Sequence, residues 1–152
     1  MRYFEDLPLN EVQVTESYTM QKQEMIDFAT QWDPQPFHTS EEEAANWPLG
    51  LTASSVHTIA VSVKLAQAMS ATKKQAAFIA GLGWDNVRMP HPVRPNDEIH
   101  VKAWMSEKRD SSSRPDCGIV TSRFEVYNQD KVLVLSYGIA SLVMKRPVSA
   151  VL

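Results

Sequence analysis

An α+β chain, in which a curved antiparallel sheet wraps one long helix, is the fold class that this sequence predicts, and three observations carry it. The longest helical candidate, Leu51 to about Met69, has apolar residues at intervals of three and four and contains neither Gly nor Pro. Four stretches rich in β-branched and aromatic residues follow it, each bounded by turn residues. Only short elements precede it. A sheet with one apolar face then has a single long apolar element to bury that face against.

Taken in order, residues Glu11–Ser17 alternate at Val12 and Val14 and read as a short first strand. Thr19 offers an N-cap to a helix that buries Met25, Phe28 and Ala29 and must stop near Trp32, before Pro34 and Pro36. Thr39 and Glu42 have capping-box spacing, opening a short helix through Ala45 that Trp47-Pro48-Leu49-Gly50 breaks. In the long helix Ala53, Val56, Ala60, Val63 and Ala66 or Gln67 recur at intervals of three and four along one face. Ile59, Val61 and Leu65 occupy the others, so protein is expected on most sides. The strands then run Ala77–Met89, Glu98–Glu107, Ile119–Tyr127 and Val132–Val143. Asn96 suits a left-handed turn position, Asp110–Asp116 is a polar loop, and Asn128–Lys131 is a tight hairpin.

A chain of 152 residues suits one domain spanning 1–152. A net charge of −3 without a dense Lys/Arg run argues against a nucleic-acid or anionic-membrane surface and favours small-molecule chemistry. The single cysteine, Cys117, cannot form an internal disulfide, and no Cys/His cluster has zinc spacing. An acidic N-terminus and the lack of a span-length apolar run leave a cytoplasmic, metal-free protein as the expectation.

The segment Asp33-Pro34-Gln35-Pro36-Phe37-His38 carries the chemistry. Its prolines fix φ at their own positions and push Asp33 and Gln35 towards extended geometry, so a stiff, non-helical stretch presents a carboxylate and an imidazole at fixed spacing. Such a pair can hold one water, take its proton and deliver another to a substrate carbon, as addition of water to an activated double bond requires. Residue types alone also allow a plainer account, in which Asp33 closes a turn and His38 packs.

Four motifs give the chain a family likeness: Tyr3-Phe4-Glu5-Asp6-Leu7, the Asp-x-x-Pro-x-His core, Gly50-Leu51-Thr52-Ala53-Ser54 and Pro92-Val93-Arg94-Pro95-Asn96-Asp97. Together they resemble the MaoC-like dehydratases and (R)-specific enoyl-CoA hydratases, over nearly the whole chain. The resemblance implies a hotdog fold, a homodimer with its acyl pocket near the interface, and an acyl thioester substrate, most often of coenzyme A, with no bound cofactor. It assigns the water-holding pair to Asp33 and His38 and an oxyanion site to backbone amides where the long helix starts, at Gly50, Leu51 and Thr52. Gln35 stands where the family usually has Asn, and the family's His before Gly50 is absent. His57 falls near a family position that often carries a serine beside the catalytic Asp, although a packed core histidine fits it as well.

The implied reaction is reversible hydration of an enoyl thioester to a 3-hydroxyacyl thioester. A thioesterase of the same fold is one rival, opposed by the lack of Asp or Glu in Leu51–Met69, since the commoner hotdog thioesterases place their carboxylate there. A non-catalytic acyl-binding or assembly subunit is the other. Arg88, Arg94, Lys102 and Arg109 are the cations within reach of a carrier phosphate, although surface cations are ordinarily just solvated.

Overall fold

The strands pair in the spatial order β1-β4-β5-β6-β3, antiparallel throughout, with β2 also on β4. They are β1 (Gln13–Val14), β2 (Tyr18–Thr19), β3 (Phe78–Arg88), β4 (Glu98–Asp110), β5 (Cys117–Tyr127) and β6 (Leu133–Met144). A 3-10 turn (Phe4–Asp6) and four α-helical pieces accompany them in this computed structural model, which describes residues 1–148: α1 (Lys22–Trp32), α2 (Pro36–Thr39), α3 (Glu41–Ala44) and α4 (Ser55–Ala71). One face of the sheet closes on α4, where Val61 and Leu65 meet Ile99, Val101, Val126 and Leu135. A second cluster seals the other end of the sheet, where Leu7 meets Ala77, Val120 and Val143.

The expected first strand is two short ones. Thr19 lies in β2 rather than capping a helix, and α1 starts after Gln21 with no side-chain cap. The short acidic helix is capped by Ser40, not Thr39: the Ser40 hydroxyl accepts from the Glu43 amide at 3.2 Å. Asn96 and Lys131 take positive φ, of 68° and 61°, at the two turns.

Two corrections concern α4. It begins at Ser55, not Leu51: the Thr52 carbonyl, which a helix would need as an acceptor, is taken by His38 Nδ1, and the Thr52 and Ala53 amides dock on the carbonyls of Phe37 and Val93. Its buried stripe is His57, Thr58, Val61, Ser62 and Leu65, while Val56 is 53% exposed and Ala60 and Lys64 also face outwards. A helix apolar nearly all round has little preference among faces by pattern alone. The sheet takes the face on which the Ser62 hydroxyl pairs with Tyr137 Oη at 2.8 Å.

Because β3 and β4 lie far apart in the sheet, residues 89–97 must cross its width. That crossing passes the start of α4, where the Val93 carbonyl takes the Ala53 amide at 2.8 Å, and reaches Met20, which exchanges backbone bonds with Asn96 and Asp97. It forms one wall of the pocket described next.

Candidate active site

The Asp33–His38 segment is built at a helix end. Asp33 closes α1 with its amide on the Ala29 carbonyl at 2.9 Å. The chain runs extended through Gln35, then Pro36 opens a single helical turn, a position where its missing N–H costs nothing. The expected wholly non-helical segment is therefore half extended and half helical, and His38 sits on the helical half. The Gln35 carbonyl accepts from the amides of His38 (2.9 Å) and Thr39 (3.1 Å). Its side chain is exposed and makes no cap bond, so what Gln35 supplies is backbone.

The two side chains meet without touching. His38 Nδ1 lies 2.7 Å from the Thr52 carbonyl oxygen. A carbonyl only accepts, so Nδ1 carries the proton and Nε2 presents a lone pair when the ring is neutral. That Nε2 stands 3.7 Å from Asp33 Oδ2, too far for a direct bond and the right gap for one water to reach both. The Ser54 hydroxyl donates to the same Oδ2 at 2.7 Å. Ser54 is fully buried, makes no cap bond to α4 and serves the carboxylate instead. A serine just before a helix ordinarily bonds backbone, so residue type alone does not single out Ser54.

His38 opens onto a cavity of about 320 Å³. Phe37, His38 and Thr52 form one wall, Met89–Val93 the opposite one, and the buried Thr58, Val134 and Leu135 lie at the inner end. Ser55, first residue of α4, also lines it. The Gly50 and Thr52 amides do not face it freely: they donate to the carbonyls of Trp47 and Phe37, both at 3.1 Å. Gly50 instead turns the chain at a φ of 66°, and Leu51 is buried. The unpaired amides of a helix start belong here to Ser55 and its two successors.

His57 is not brought to this pocket. Its ring stacks on Phe28 with centroids 4.5 Å apart and lines a separate hollow beside α1. There Nε2 lies 3.9 Å from Glu24 Oε1, and Nδ1 is buried without a partner. Burial holds this imidazole below its ordinary pKa, with Glu24 opposing. Glu24 also accepts from Tyr18 Oη at 2.6 Å, which pushes the phenol up. Among the described residues, no three His, Cys, Asp or Glu side chains come together to hold a metal ion.

Residues 4–127 match the family described as the MaoC like domain. This chain belongs to that family. The chain is 30% identical over 143 residues to the uncharacterized protein YdeM of Bacillus subtilis (strain 168), covering 93% of this chain and 98% of YdeM. The MaoC-like dehydratase of Rhodospirillum rubrum superposes with a TM-score of 0.83 at 32% identity, covering 97% of this chain and all of that one. Unliganded R-hydratase PhaJ1 of Pseudomonas aeruginosa shares the fold at 22% identity, with a TM-score of 0.68 over 95% of this chain and 86% of that one. The MaoC-like architecture seen here, a curved antiparallel sheet closed on a helix, is the hotdog fold.

Proposed function

We propose that this protein catalyses reversible hydration of an enoyl thioester to a 3-hydroxyacyl thioester, with Asp33 and His38 activating the water. The observation that carries this is the 3.7 Å gap between Asp33 Oδ2 and His38 Nε2, each held from behind by its own hydrogen bond. A water in that gap gives up a proton as its oxygen joins the β-carbon, and the α-carbon takes a proton from the same face. Either group stands where it could take that proton, the imidazole at Nε2 or the carboxylate at Oδ2. The thioester carbonyl would lie against the free amides at the start of α4, beginning with Ser55, where the helix end favours developing negative charge. Membership of the MaoC-like family and the R. rubrum dehydratase support hydratase or dehydratase chemistry.

We assign a coenzyme A or carrier-protein thioester as substrate, and a homodimer as the working form. The dimer rests on β3, the last strand of the sheet. Its Phe78, Ile79, Leu82 and Trp84 are all exposed, and it presents an unpaired edge, a combination that a second copy would cover. Incubation with crotonyl-coenzyme A, following enoyl absorbance and free thiol together, tests the function: absorbance must fall without thiol release. Thiol release would make the protein a thioesterase, and no change in either signal would leave an acyl-binding subunit.

A further inference from the structure

Arg94 and His91 stand at the open end of the pocket, with Arg88 beside it in the chain, although the protein as a whole is acidic, with a net charge of −3. The pocket's inner end is buried, whereas Leu49 and Met89 on its lining are half exposed and mark the mouth. Arg94 lies over that lip: its Nη1 donates to the Leu49 carbonyl at 2.5 Å. Arg88 directly precedes Met89 in the chain. His91 lines the mouth itself, with Nδ1 on the Leu133 carbonyl at 3.1 Å, so that Nε2 remains for a ligand.

The charges on the two arginines are not neutralised within the described residues. Arg114, Arg123 and Arg146 each hold a carboxylate, while neither Arg88 nor Arg94 has an Asp or Glu at ion-pair distance. Asp97, the acid nearest Arg94 in sequence, is spent elsewhere: one oxygen accepts the Arg94 backbone amide at 2.8 Å and the other a Gln129 amide at 3.0 Å. Arg94 is thus positioned by a single bond to a carbonyl and keeps its other donors, in the planar fork that suits phosphate oxygens.

We propose that Arg94, assisted by Arg88 and His91, binds a phosphate of the carrier from which the acyl thioester hangs. This inference rests on the hydration reading above. The geometry fits a long arm: the Leu49 carbonyl is three residues, at most ~11 Å of chain, from Thr52, whose own carbonyl holds His38. An arm as long as pantetheine spans such a distance with its thioester inside and its phosphate at the lip. Free coenzyme A and a phosphopantetheinylated carrier protein share this chemistry.

The test compares crotonyl thioesters of coenzyme A, of phosphopantetheine, of a phosphopantetheinylated acyl carrier protein and of N-acetylcysteamine, which has no phosphate, on wild type, Arg94→Gln and Arg94→Lys. The ratio of kcat/KM for the coenzyme A thioester to that for the N-acetylcysteamine thioester should fall about tenfold or more in Arg94→Gln, through KM, with partial recovery in Arg94→Lys. The phosphopantetheine thioester should follow the coenzyme A one. A carrier-protein thioester preferred over coenzyme A, with the same Arg94 dependence, would identify the carrier protein as the source of the phosphate. An unchanged ratio overturns the proposal, as does an equal loss on both substrates, which would mean that Arg94 only shapes the Leu49–Gly50 turn. If wild type hydrates none of the four, calorimetric titration with coenzyme A separates the two ideas. Binding weakened about tenfold by Arg94→Gln would keep the phosphate site and remove the hydration reading, and binding indifferent to Arg94 would remove both.

Discussion

His38 and His57 are both buried, and each stops just short of a hydrogen bond to a carboxylate, at 3.7 Å from Asp33 and 3.9 Å from Glu24. What separates them is the far nitrogen. His38 Nδ1 is tied to the Thr52 carbonyl and its ring opens on a pocket, whereas His57 Nδ1 is orphaned and its ring lies flat on Phe28. Proximity of imidazole and carboxylate is therefore a weak mark of a site. The anchored tautomer distinguishes the pair that can do chemistry, since Glu24 also has a second donor, from Tyr18, and His57 also lines a hollow.

The sharpest test of that contrast is to remove each partner in turn. Asp33→Asn and His38→Ala should each lower hydration of an enoyl thioester by at least ~100-fold, as positioned acid/base groups typically contribute about 10²–10⁴. His57→Phe, by comparison, should retain turnover to within about threefold, because Phe preserves the stack on Phe28 and adds no volume to the pocket. Circular dichroism on each variant checks folding. Equal losses in all three variants would erase the distinction drawn here.

A subtler probe is Ser54→Ala, which leaves Asp33 in place without its 2.7 Å donor. A hydrogen bond to a charged group contributes about 1.5–3 kcal/mol, so a loss of about tenfold in kcat is expected with KM little changed. The Ser54 hydroxyl should matter more than a methyl at Gly50, whose amide already has a carbonyl partner and whose Cβ would meet nothing closer than Arg94 at 4.0 Å. Gly50→Ala should instead cost stability, about 1 kcal/mol, through its positive φ. Steady-state kinetics paired with urea midpoints would show whether the two variants divide this way.

His57 should announce itself in stability rather than rate. Its folded pKa is depressed below 6.5 by burial. Above that value the ring is neutral folded or unfolded, and nothing is lost. As pH falls through 6.5, the unfolded chain takes up a proton that the folded chain refuses, and stability declines until the lower folded value is passed. Denaturant midpoints at about pH 7.5 and about pH 5.5 should therefore separate more in wild type than in His57→Phe. An equal separation would place the acid sensitivity elsewhere. The smallest effect belongs to Gln35→Ala: an exposed side chain without a cap bond should change stability by no more than ~0.5 kcal/mol and activity less than about twofold, on the same assays.

The sequence by itself determined the elements and the proline-bounded segment that joins α1 to α2. Four strands after one long helix follow from local periodicity, and each observed boundary lies within a few residues of the expected one. Pro34 and Pro36 end α1 and hold Asp33 and His38 at their spacing, because proline geometry acts through immediate neighbours. Only the tertiary structure decided which face of α4 is buried, where that helix starts and which polar groups serve the pair. A helix with apolar residues all round could turn several faces inwards, and the choice fell to Ser62 meeting Tyr137 across the core. Residues 51–54 look helical by composition, yet the Thr52 and Ala53 amides bond to Phe37 and Val93, partners far away in sequence that only the fold brings near. The same long-range docking sets Thr52 behind His38 and Ser54 behind Asp33, and leaves His57 against Phe28. Side-chain periodicity reports what a residue is next to along the chain, whereas hydrogen-bond partnership depends on what the packed core sets opposite it.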